Sequence, residues 1–131
     1  MLEHQSIRKF TSQVIPQDMI NTCVTAGQAA SSSSFVQVTS VVQVNSPLTR
    51  AALAEASGGQ NYVQSAATFL VFCADLQRNQ QMPIGFTEHT LIASIDTALF
   101  AQNVLLAAQS LGLGGVLLVA YAISQKQSLS Y

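Results

Sequence analysis

The chain has 131 residues, no tryptophan, and a formal charge of −1 from five basic and six acidic side chains. With 49% hydrophobic and 8% charged residues, against about 25% charged in an ordinary soluble domain, one apolar-rich domain is expected. Cations this sparse cannot neutralise a run of phosphates, which argues against nucleic-acid binding and polybasic membrane attachment.

Charge in the opening MLEHQSIRKF interrupts the apolar core that a secretory signal needs. Cys23 and Cys73 have no CxxC or His-spaced ligand set around them. A reduced, cytoplasmic compartment with two buried free thiols is therefore expected, and no metal site.

Taken in chain order, Pro16 stands at a helix entrance, and Ile20, Cys23, Val24 and Gly27 recur at helical spacing. The run Ser31, Ser32, Ser33, Ser34 ends that helix. FVQVTSVVQV (35–44) then alternates apolar and polar residues with β-branched enrichment, which predicts a strand. Ser46 and Pro47 start a second helix that Gly58 and Gly59 stop, and a short third begins near Asn61. TFLVFCA (68–74) is an apolar run of strand length, suited to a strand covered on both faces. Residues 75–85 read as a surface loop. From Thr87 apolar spacing holds for more than twenty residues, up to the glycines of LGLGG, and predicts a long, largely buried helix. Strands alternating with helices argue for a mixed sheet packed between helical layers. Residues 104–123 are apolar enough to raise a membrane span, but their glycines, Gln109 and Ser110 argue against it.

Few residues carry obvious chemistry. His4, Ser6 and Arg8 lie within five positions in HQSIR, and a guanidinium, a hydroxyl and an imidazole together suit a phosphate. The serines join helix to strand with no room for a flexible linker, so their hydroxyls and amides are free to face a polar ligand. Gln60 offers a donor and an acceptor on the GGQ turn. His89 reads as a helix-start or core histidine. Neither histidine has a carboxylate and a nucleophile at suggestive spacing, so the residues alone reach a domain that binds a polar ligand.

In combination, HQSIRKFT, AASSSSFVQVTSVVQV, ASGGQNYVQSAATFLVFCAD and DTALFAQNVLLAAQSLGLGGV resemble the nitroreductase superfamily, in its bacterial branch of oxygen-insensitive NADPH nitroreductases and NADPH-flavin oxidoreductases. The resemblance covers residues 2–116. It implies an α+β fold with a mixed, mainly antiparallel sheet between helical layers, incomplete at its C-terminal side. It further implies a homodimer with FMN at the subunit interface, reduced by NADPH and reoxidised by a nitroaromatic, a quinone or free flavin; the cofactor carries the hard chemistry. By position, His4, Ser6 and Arg8 match residues that hold the FMN phosphate and the polar side of the ring, and Ser32 and Gln60 match flavin contacts. Gln5 stands where the family usually has arginine, which implies weaker cofactor binding. A second expectation is a non-catalytic remnant that pairs with an intact paralogue through the long helix.

The resemblance fails beyond Val116. Family members are about twice as long and continue with an aromatic residue, Ile-Gly-Gly and Arg-Asn, where this chain reads LLVAYAISQKQSLSY. With one permitted choice of codons, a single base restored ahead of Leu117 gives Phe-Ile-Gly-Gly-Ile-Arg-Asn. Residues 1–116 are therefore expected to be the N-terminal half of the domain, with 117–131 out of frame. Such a half should leave the strand at 68–74 and the long helix partly uncovered, and should be unstable or flavin-free.

Overall fold

Five helices and two strands follow one another in the computed structural model, which describes residues 2–80 and 85–119, Phe86 by its backbone alone. α1 (Gln17–Gln28) opens after Pro16, whose fixed φ suits a helix entrance, and Asp18 complements the positive end of its dipole. Its buried stripe is Ile20, Cys23 and Gly27. After the serine run come β1 (Thr39–Gln43) and α2 (Pro47–Ala56), whose cap Ser46 accepts the Thr49 N–H at 3.4 Å. The short α3 (Tyr62–Ser65) precedes β2 (Leu70–Ala74). Arg50 ties this region together, donating from Nε to the Val44 carbonyl at 2.8 Å and from Nη1 to the Ala66 carbonyl. Then follow α4 (Leu76–Asn79) and the 25-residue α5 (Phe86–Ser110), about 37 Å long at 1.5 Å per residue.

β1 and β2 pair antiparallel in the register Thr39 to Ala74 and Gln43 to Leu70. Hydrogen bonds from Asp75 N–H to the Val38 carbonyl at 2.8 Å and from Val44 N–H to the Phe69 carbonyl at 2.9 Å extend the ladder at both ends. Alternation sets Thr39, Val41, Gln43, Leu70, Phe72 and Ala74 on one face, and that face meets the helices. Phe72 lies against Phe100 of α5 with ring centroids 6.0 Å apart, and the Thr39 and Thr97 hydroxyls are 3.2 Å apart. The described sheet is thus antiparallel with two strands, and a separate parallel bridge joins Ser6 to Gly115 outside it.

α1 packs along α5 through Gly27. A methyl group there would stand 2.5 Å from Phe100 Cε1 and 2.7 Å from Val104 Cγ2, so a larger residue costs about 1–3 kcal/mol of overpacking. α5 ends in a Schellman turn, with Leu113 N–H bonded to the Ala108 carbonyl at 2.9 Å, Gly112 N–H to the Gln109 carbonyl at 3.0 Å, and Gly112 at φ 81°. This stop divides residues 104–123, so the described part of that stretch is not one spanning helix. α5 itself is long and apolar enough to cross a membrane by length and composition, yet it packs on α1 and the sheet.

Four expectations change. The strand of 35–44 shortens to β1, because Ser34, Phe35 and Gln37 adopt positive φ of 49°, 55° and 55°. β2 is covered on one face only; across from it Val42 is 51% exposed, and Cys73 is exposed. The long helix is apolar but not fully buried, since Leu91, Ile95 and Leu99 remain 59%, 50% and 44% exposed. α4 replaces part of the loop at 75–85: Asp75 caps it by accepting the Arg78 N–H at 2.9 Å, and buried Asn79 donates to the His89 carbonyl at 2.7 Å. Residues 81–84 of that loop lie outside the described residues, as do 120–131 of the tail.

The two thiols therefore differ. Cys23 is 3% exposed, and burial pushes its thiol above the ordinary cysteine range. An aromatic disulfide reagent at neutral pH is expected to titrate Cys73 rapidly and Cys23 only on unfolding, and two equally fast thiols would contradict this burial.

Candidate functional site

His4, Gln5, Ser6 and Arg8 lie on an exposed segment that docks against the turn after α5. Ser6 bridges Gly115, and the Ile7 N–H donates to the Gly115 carbonyl at 3.0 Å while the Ile7 side chain lies over Gly114. His4 Nδ1 is 2.8 Å from the Gln109 amide nitrogen, near the end of α5. With that amide donating, the imidazole carries its proton on Nε2, free to donate elsewhere. Among the described residues no carboxylate pairs with Arg8, so the segment presents an uncompensated guanidinium beside a hydroxyl and an imidazole.

The serine run is fixed differently. Asp96, 5% exposed in the middle of α5, accepts the Ser33 N–H at 2.8 Å and the Ser33 hydroxyl at 3.2 Å. Ser32 precedes the 3-10 turn Ser33–Phe35 and is half-buried. Each left-handed residue in this segment costs about 1–2 kcal/mol, and the conformation persists only where surroundings impose it. Two charged groups impose it here: Asp96 holds the near end, and Arg78 Nη1 donates to the Gln37 carbonyl at 2.7 Å at the far end. Arg78 also pairs with Asp75 at 3.7 Å.

Gln60 follows the left-handed Gly58 and Gly59 at the end of α2, half-buried, with its carbonyl accepting the Val63 N–H at 3.1 Å. It belongs to the α2–α3 corner. Ser32, next to Ser33, and the His4–Arg8 segment are not neighbours along α5 either, because the anchors of Ser33 and His4, Asp96 and Gln109, stand thirteen residues, about 20 Å, apart on that helix. Within one chain the geometry thus forms a cationic, hydroxyl-bearing segment at one end of α5 and a strained serine loop near its middle.

Reading by motif missed Asp96, Arg78 and Gln109. For Asp96 the signal was present, since a lone carboxylate inside the apolar run LIASIDTALF needs buried donors. The partners of Arg78 and Gln109 are distant in sequence and left no such trace.

The nitroreductase family model matches residues 1–126. The chain belongs to the nitroreductase family. It is 52% identical over 120 residues to the NADPH-flavin oxidoreductase of Vibrio harveyi and 42% over 124 residues to the FMN reductase (NADPH) of Bacillus subtilis, covering 88% and 87% of this chain and 50% of each relative. Nitroreductase A from Vibrio parahaemolyticus superposes with a TM-score of 0.81 at 53% identity, over 88% of this chain and 51% of that one. The structure of the Vibrio harveyi NADPH:FMN oxidoreductase complexed with NAD+ gives 0.79 at 52% identity. This nitroreductase-family chain spans about half the length of the relatives it matches.

Loss of the Asp96 carboxylate leaves the Ser33 N–H and hydroxyl without their acceptor, a cost of about 1–3 kcal/mol. In urea denaturation Asp96→Ala is expected to lower stability by that amount and Asp96→Asn, which keeps one acceptor, by less. Equal stability of all three proteins would show that the carboxylate does not hold the loop.

Proposed function

We propose that this chain is the N-terminal half of an FMN-dependent NADPH oxidoreductase of the cytoplasm that reduces nitroaromatics, quinones or free flavin. The observation that carries the reading is the donor set at the end of α5, in a family whose relatives are named as NADPH-dependent flavin and nitro reductases. The residues present fit FMN: Arg8 supplies a fork of donors for a phosphate, Ser6 a hydroxyl, and His4 an Nε2–H that the Gln109 contact leaves outward. Gln5 adds an amide but no charge. FMN, when bound, supplies the centre that takes hydride from NADPH and passes electrons to the acceptor. The residues of this chain bind and orient.

The separation between the Ser32 and His4 anchors supports a site shared across a homodimer, in which the serine loop of one subunit faces the Arg8 segment of the other. The exposed stripe Leu91, Ile95 and Leu99 on α5 supports association of that kind. It equally suits the second reading, a non-catalytic remnant seated on an intact paralogue. Residues 117–131 are read as out of frame through a one-base deletion, in the gene or in its sequencing; resequencing the DNA across codons 114–131 separates the two, and DNA that does not read Phe-Ile-Gly-Gly-Ile-Arg-Asn when one base is restored ahead of codon 117 would overturn that reading of the tail.

Function is tested by grafting residues 2–116 in place of the matching half of the Vibrio harveyi reductase. The chimera should purify with FMN and oxidise NADPH. Arg8→Ala should weaken FMN about tenfold or more, since a charge-assisted hydrogen bond is worth about 1.5–3 kcal/mol. Gln5→Arg should tighten FMN binding. A folded chimera that takes up no flavin would contradict the proposed function.

A further inference from the structure

Gln109 stands half-buried in the last turn of α5, and among the described residues its side chain bonds to His4 alone. Its backbone is fixed independently, since its carbonyl accepts the Gly112 N–H at 3.0 Å in the turn that ends the helix. Further along the N-terminal segment, the Ile7 N–H is tied to the Gly115 carbonyl, and the Ile7 side chain lies over Gly114. The exposed segment is therefore held at two points, and only the one at His4 involves a ring whose proton can occupy either nitrogen.

The residue at position 109 decides which nitrogen that is. The Gln109 amide nitrogen lies 2.8 Å from His4 Nδ1, so it donates, Nδ1 accepts, and the neutral ring keeps its proton on Nε2. A carboxylate in its place would only accept. It would draw the proton to Nδ1, leave the outward nitrogen bare, and bring a negative charge to a segment whose Arg8 has no carboxylate partner among the described residues. We infer that Gln109 is a positioning residue: through its amide it holds His4 as a neutral Nε2–H donor toward a phosphate-bearing ligand, and it leaves the positive charge of the segment undiminished. The identity of the ligand rests on the FMN reading above; the position of the proton does not.

The full 131-residue chain holds only two histidines, so nitrogen-labelled protein without FMN gives a readable long-range proton–nitrogen spectrum at about pH 8.5, above the ordinary histidine range. The signals lost in His4→Asn belong to His4. In the parent they should show a protonated Nε2 and a bare Nδ1. Gln109→Glu, of the same shape, should move the proton to Nδ1, and Gln109→Leu, which keeps the bulk without a hydrogen bond, should let the Nδ1–H tautomer rise. A residue that merely packs would move neither. The inference is overturned if the parent carries its His4 proton on Nδ1, or if the His4 spectrum is the same in all three proteins. In the chimera with the Vibrio harveyi half, Gln109→Glu should weaken FMN about threefold or more, as loss of one hydrogen bond does. A proton that moves while FMN binding stays unchanged would overturn the positioning role. A parent chimera that takes up no flavin, with the His4 proton on Nε2, would count against the proposed function and leave the Gln109–His4 pair standing.

Discussion

The buried carboxylate of Asp96 is the constraint around which the described half of this fold is arranged. An ionisable group enters an apolar helix only when donors meet it, and Ser33 meets it twice, through its backbone and its hydroxyl. That pair fixes where the chain leaves α1, forces the next residues through a left-handed path, and sets the register at which β1 begins. Thr97, one residue further along α5, touches Thr39 and fastens the strand. Around the same helix, Phe100 and Val104 receive Gly27 of α1, while Gln109 and the turn after α5 receive the N-terminal segment. α5 is a spine, and each polar group along it seats a different part of the chain.

This arrangement explains why the candidate site is divided. A single straight helix cannot bring its middle and its end together, so the serine loop and the Arg8 segment stay about 20 Å apart at their anchors. In the proposed reading, a ligand long enough, or a second subunit, spans them. The cationic segment keeps its guanidinium unpaired among the described residues, while the serine loop is held in a strained conformation by Asp96 and Arg78. Strain of this kind persists where surroundings impose it, and here the Asp96 and Arg78 contacts hold its two ends.

Much of the fold was legible in the sequence because it depends on local chemistry. Pro16, Ser46 with Pro47, and the glycines after Ala56 and Leu111 mark helix ends through φ preference and capping, and the helices begin and end there. What the sequence concealed depends on distant partners. Residues 35–37 have the alternation of a strand, but Phe35 and Gln37 take positive φ between the Asp96 and Arg78 contacts. Cys73 sits in an apolar run, but its side of the sheet has no cover among the described residues. The His4, Ser6 and Arg8 set was legible as a donor cluster; its seat on Gln109 and Gly115, more than a hundred residues away, was not.

Hydrogen exchange of the 131-residue chain, followed by mass spectrometry, tests the spine most directly. Amides from Asp96 to Leu105 of α5, together with the facing turns of α1, should exchange slowest, and the segment at Ser33 should lose its protection in Asp96→Ala while the core of α5 keeps it. If α5 exchanges as fast as the N-terminal segment, α5 is not the element that orders this chain.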